Sequence, residues 1–253
     1  MNKPLLICMV ALAGGCVAEP DDGLSDTQDA VTASNKLAAN KLAANKLAAN
    51  SLEVQGLMAT DSGRDVMSYI VGCAMPTGQS LTLLDATTGT QYTYPGWIGL
   101  APGWATRAPT VAERHWVTAC LLARTNVYGT AVNISMRHDT NPVLTSSATE
   151  RNTYTKAEGA FYGDLFATVP VIYACSNRSW TSVTVGSFRA CALSPDGVTT
   201  DCGFKYTGSC ANVITCTDGT APFGSCKAAG DATTYGEVIT IFLTPTQQSG
   251  STT

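Results

Sequence analysis

Two short clusters hold the residues in this chain whose types and spacing suit acid–base chemistry: Glu113-Arg114-His115 and Arg137-His138-Asp139. A histidine beside a carboxylate can act as a general base, and the start of a helix favours anions. Glu113, His115, His138 and Asp139 are therefore the candidate catalytic residues. The competing role is structural, with Glu113 capping a helix and the other charges solvated in a loop. A further pair of carboxylates, Glu158 and Asp164, lies within seven residues, and two carboxylates are what glycoside cleavage uses. Carboxylates this close in sequence also serve as turn formers and surface groups. No stronger catalytic signature is present. Gly78-Gln79-Ser80-Leu81-Thr82 lacks the second glycine of a nucleophile elbow, and the chain has no HExxH, phosphate-binding loop or dinucleotide fingerprint.

Cysteine carries more information. Of ten cysteines, Cys8 and Cys16 lie near the N-terminus, which leaves Cys73, Cys120, Cys175, Cys191, Cys202, Cys210, Cys216 and Cys226. An even number in an exported chain reads as a disulfide framework. A cysteine nucleophile is then not expected, because a disulfide sulfur is not a thiolate. Spacing alone cannot choose among the connectivities, except that Cys73 and Cys120 stand alone in the first half, each among the apolar residues of an expected helix. The other six crowd a glycine-rich stretch with little hydrophobic material, where staples make physical sense. A zinc ribbon is disfavoured: there is no CxxC, His115 and His138 lie upstream, and the gaps from Cys202 to Cys226 are seven, five and nine residues. No metal or cofactor is assigned.

The chain opens MNKPLLICMVALAGGC. One lysine precedes an apolar run of signal-peptide length, too short to span a bilayer. Small residues before Cys16 resemble the bacterial lipobox, which implies cleavage before Cys16 and lipid attachment to its thiol, although Ala13 stands where that family usually has Leu. Ordinary cleavage near Ala18, giving a secreted protein, is the alternative. Residues 1–15 are thus the expected signal peptide, and residues 16–52 a tether. Within the tether NKLAA is repeated three times from Asn35 and closes with Asn50-Ser51-Leu52. Lys, Leu and Ala favour helix. At 100° per residue, however, a period of five turns each Leu by about 140°, so no apolar stripe forms. A period of five also invites comparison with the pentapeptide-repeat β-helix, but Lys intervenes between Asn and Leu, and three copies are too few for a solenoid. A partly helical spacer remains.

The elements that must position the candidate residues follow. Residues 53–245 read as one folded domain, and 246–253 as a flexible tail. A first helix is expected from a capping-box-like Ser62 and Asp65 to the stop at Pro76, and a second from Thr110 and Glu113 to residues 126–129. Between them, residues 80–84 and 91–94 form a hairpin around Gly89. Trp97, Leu100 and Trp104 occupy a Gly/Pro-rich loop, as packing groups or as an exposed stacking surface. Strands are expected over 131–135, 168–173, 182–185 and 237–243, the second and last being central. The fold class is α+β: an early helix pair on a largely antiparallel sheet, stapled by disulfides.

At 45% hydrophobic and 13% charged residues most of the chain should fold, and a net charge of −4 offers no basic footprint for nucleic acid. The stretches from Gly63 to Cys73, Glu113 to Asn126 and Glu158 to Phe166 resemble uncharacterised exported cysteine-rich proteins of myxobacterial type. That resemblance spans most of the folded region and implies a Gram-negative envelope setting, but no activity and no site residue. Two functional classes stay open: a lipid-tethered surface module, held on the outer membrane and meeting an envelope polymer or protein, and an exported hydrolase acting on glycan or peptide. The tether, the low charge and the missing motifs favour the module.

Overall fold

The computed structural model describes residues 32–34, 37–38, 56–126, 131–177, 205–211, 216 and 221–246. Cys16, Cys191, Cys202, most of the NKLAA repeats, the strand expected over 182–185 and nearly all of the tail lie outside them. In chain order the elements are β1 (Thr32–Ser34), β2 (Leu37–Ala38), α1 (Asp61–Ala74), β3 (Ser80–Asp85), β4 (Thr90–Pro95), α2 (Val111–Ala123), β5 (Thr125–Asn126), β6 (Asn133–Arg137), a 3-10 turn (Pro142–Leu144), α3 (Ala148–Thr153), β7 (Lys156–Asp164), β8 (Val171–Ser176), β9 (Lys205–Ser209) and β10 (Ile239–Leu243).

Helix α1 is capped two residues earlier than its sequence suggests. Thr60, not Ser62, is in the extended conformation a cap requires, and its hydroxyl accepts from the Gly63 N–H at 3.0 Å. Its C-terminal carbonyls would lack partners within the helix. The Gly/Pro-rich loop supplies them: the N–H groups of Ile98, Leu100 and Ala101 donate to Gly72, Cys73 and Ala74 at 2.9, 3.0 and 2.8 Å. Trp97 and Trp104 are half-buried in this packing, and the Trp97 ring holds the buried Arg124 guanidinium against Tyr69. Helix α2 carries both arms of a capping box, with the Glu113 N–H donating to Thr110 Oγ1 at 3.2 Å and the Thr110 N–H to Glu113 Oε2 at 2.7 Å. It stops at Ala123, short of the expected end, because Thr125 and Asn126 are drawn into the parallel β2–β5 pair. Cys73 and Cys120 are bonded across the two helices, with Cα atoms 6.1 Å apart and both side chains fully buried.

The main sheet has six strands in the order β1-β6-β10-β7-β8-β9. All pairings are antiparallel except β8–β9, which is parallel. The protein is therefore α+β with a mixed, mostly antiparallel sheet, beside the β3–β4 hairpin turned at Gly89 (φ 73). Strand β7, a central strand, was not expected. Its glycines hide it: a Cβ on Gly159 would sit 2.2 Å from the Cys175 carbonyl oxygen, and Gly163 has φ 136 with Val171 O equally close to a Cβ position. Close approach to β8 requires glycine there, and glycine erases the strand pattern in sequence.

Alternation along the strands feeds two cores. Phe161, Ile134, Ile239 and Ile241 join Val66, Ile70, Val71 and Leu121 of the helices on one face. Ala160, Tyr162, Tyr173 and Cys175 join Phe223, Tyr235 and Val238 on the other. That second core carries two more disulfides, Cys175–Cys210 and Cys216–Cys226. Bridges of this kind belong to an oxidising, exported environment. Among the described residues no helix is long and apolar enough to cross a membrane. Strands β1 and β2 come from the segment expected to be a tether. They join the body through backbone pairing, which needs no apolar stripe.

Candidate functional site

The expected catalytic residues are placed by α2, the end of β6 and the turn that follows it. Glu113, in the first turn of α2, is gripped at both oxygens by Arg107, at 2.6 and 2.7 Å, besides its capping bond. The Arg107 guanidinium beside it holds the carboxyl down at about 2, against the opposing effect of burial. Two positions on, His115 points to a different side of the helix. Its Nδ1 lies 3.1 Å from Glu237 Oε2, and its Nε2 faces Asp164 Oδ2 at 3.6 Å. Arg114 Nη2 donates to the same Asp164 oxygen at 2.7 Å. Burial pulls the imidazole down, but Asp164 and Glu237 together override it and lift it to about 9. In return, Asp164 is held below the usual carboxylate range by His115 and Arg114 despite burial, and Glu237 by His115.

His138 sits elsewhere, edge-on to Trp116 with ring centroids 4.9 Å apart. The N–H groups of Thr140 and Asn141 approach its Nδ1 at 3.2 and 3.0 Å, Asp139 Oδ1 lies 3.1 Å from the same nitrogen, and Nε2 is 3.4 Å from the Gly224 carbonyl. Asp139 lies against Gly224, where a Cβ would come within 2.8 Å of its Oδ2. Arg137 of the same sequence cluster turns inward: it donates to Ser135 Oγ and to the carbonyls of Glu150 and Tyr154, and stacks on Phe242 at 4.0 Å. Ser135 in turn donates to Glu150 Oε1, whose carboxyl burial pushes up. Glu113, His115 and the His138–Asp139 pair thus occupy three separate places, and among the described residues no hydrogen bond, ion pair or ring contact joins them. Glu158 and Asp164 lie six residues apart on one strand, roughly 20 Å at about 3.4 Å per residue, well beyond the separation a glycoside-cleaving pair needs.

A further group of connected polar side chains lies where β7 ends and β10 begins. The His115 ring meets Tyr235 edge-on at 5.0 Å. Tyr235, Tyr162 and Tyr173 pack together with centroids 5.4 to 6.2 Å apart. Asp231 Oδ2 accepts from Tyr173 OH at 3.0 Å and from Tyr235 OH at 3.2 Å, and Tyr162 OH pairs with Thr207 Oγ1 at 3.0 Å. Burial pushes Tyr162 and Tyr173 up to about 12, and Tyr235 higher still. Sequence reasoning missed Glu237, Asp231 and all three tyrosines. The one available signal was their density before the last strand, in Asp231-Ala-Thr-Thr-Tyr-Gly-Glu237. The arrangement suits holding elements together more than moving protons: His115 is a cation with a carboxylate at each nitrogen, and the phenols stay protonated at neutral pH.

Among the described residues, one cluster has the ligand types of a metal site. The Sγ atoms of Cys175, Cys210 and Cys216 lie within 4.8 Å of one another. All three are in disulfides, and a disulfide sulfur does not offer the thiolate a metal takes. No family model, curated protein or solved structure matches the chain.

Proposed function

We propose that this protein is an exported lipoprotein whose folded domain works as a binding or structural surface module of the cell envelope. Its lipid would sit on Cys16, and its partner would be an envelope polymer or protein. The outer membrane is the surface implied by the resemblance to cysteine-rich proteins of myxobacterial type. The observation that carries the module reading is His115, the best-placed histidine, which lies between Glu237 and Asp164 and is lifted to about 9. A general base needs a free nitrogen and a pKa near the working pH, and His115 has neither. Glu113 is saturated by Arg107 and Thr110, and His138 Nδ1 by two backbone donors. The disulfides support export, and Gly14-Gly15-Cys16 supports the anchor.

The test is a paired pull-down and turnover screen of the mature protein against envelope polysaccharides and peptides. Binding without turnover is the expected result. Turnover that disappears in His115→Ala or Glu113→Ala, with the fold intact by circular dichroism, would overturn the module in favour of a hydrolase.

A further inference from the structure

The two disulfides in the second core touch each other. Cys175, on β8, is bonded to Cys210, which directly follows β9, and Cys216 is bonded to Cys226. The Sγ atoms of Cys175 and Cys216, which belong to different bonds, are 3.5 Å apart. Cys210 Sγ lies within 4.8 Å of both. The sulfur atoms of Cys175, Cys210 and Cys216 therefore form one buried group, and Cys226 Sγ joins it through its bond to Cys216.

We propose that Cys175, Cys210, Cys216 and Cys226 form a thiol–disulfide exchange site with two interchangeable pairings: the one observed, and Cys175–Cys216 with Cys210–Cys226. Its substrate class is a small external thiol. Cys226 is buried, so the thiolate attacks its Sγ when the segment opens locally; the Cys216–Cys226 bond breaks, and the electron pair leaves on Cys216 Sγ, with a mixed disulfide left at Cys226. Cys216, already in contact with Cys175 Sγ, attacks it. The Cys175–Cys216 bond forms, the Cys175–Cys210 bond breaks, and Cys210 leaves as a thiolate. Cys210 then attacks the mixed disulfide at Cys226 and expels the external thiolate. In net, two protein disulfides break and two form, the thiol is returned, and no oxidant or reductant is consumed. In the observed pairing the edge strand β9 is bolted to β8 through Cys210 and Cys175. In the other it is tied to the Cys226 segment, so exchange moves the covalent hold on a sheet edge.

Single-cysteine variants test this without a thiol reagent. Cys226→Ser leaves a thiol on Cys216 beside an intact neighbouring disulfide, and Cys210→Ser leaves one on Cys175. Each purified variant is incubated at mildly alkaline pH, quenched in acid, alkylated and mapped as unreduced peptides. The expected label is shared between Cys216 and Cys210 in the first variant, and between Cys175 and Cys226 in the second. In Cys120→Ser the thiol should stay on Cys73. Label confined to Cys216 and to Cys175, or new label on Cys73 or Cys120, overturns the proposal. Should both variants fail to fold, the wild-type protein with a trace of monothiol serves. A Cys175–Cys216 peptide is expected, and opening of Cys216–Cys226 without that peptide overturns the proposal equally.

Discussion

His115 on α2 faces Asp164 at the end of β7 across 3.6 Å, and the same carboxylate oxygen takes a hydrogen bond from Arg114, the preceding residue on the helix. One buried acid thereby fixes two consecutive helical cations to the sheet, and Glu237 closes the other side of the imidazole. The folded-state pKa of His115 is raised from 6.5 to about 9. A raised pKa gives stability that is fully present below the unfolded value and is lost as pH climbs through the folded one. The protein should therefore lose on the order of 3 kcal/mol between pH 6.5 and about 9 from this group. Urea unfolding across that range should show the slope in the wild type and a much flatter one in His115→Gln. Equal slopes would mean that the imidazole gains no charge partner on folding.

The Cys73–Cys120 bridge closes a span of 47 residues between two helices. The chain-entropy model assigns about 4 kcal/mol to such a loop. Cys73→Ala with Cys120→Ala should therefore lower the unfolding free energy by on the order of 2–4 kcal/mol in denaturant titrations. A loss below about 1 kcal/mol would show that helix packing alone holds the pair.

Thr110 and Glu113 act as a cap. Thr110→Ala should cost about 1 kcal/mol, and combining it with Glu113→Gln should be less than additive because the two groups share one box. Strict additivity in a double-mutant cycle would contradict the reciprocal bonds.

Gly159 leaves no room for a side chain against Cys175 O. Gly159→Ala should destabilise by about 1–3 kcal/mol or more through forced displacement of β8 from β7. A neutral result in thermal unfolding would place the two strands further apart than described.

The repeats make their own prediction. Deleting one NKLAA unit moves an identical Leu-Ala pair into the place of Leu37–Ala38, which pairs with β5. The thermal transition should shift by no more than a surface change, about 0.5 kcal/mol. A drop above about 1 kcal/mol would mean that each copy docks at its own site.

What was legible in the sequence was local. The Thr110–Glu113 box could be read because both partners lie within one turn, and the β3–β4 hairpin because its turn glycine separates two alternating runs. The central strand β7 escaped because the glycines that let β8 approach are the residues that blur a strand. The partners of His115 escaped for another reason. Glu237 is 122 residues away in sequence, and only the order β10-β7-β8 brings it beside α2 together with Asp164. Adjacent charges misled in the opposite sense: Glu113 and His115, two apart on a helix, face different partners, while Arg137 points inward and Asp139, two residues on, is exposed.

The tethered-module account stands or falls most directly on Cys16. Cells grown with labelled palmitate should yield a labelled mature protein that partitions into detergent, and Cys16→Ala should lose both label and partitioning while the folded domain keeps its disulfides. An unlabelled wild-type protein beginning near Glu19 would contradict the account.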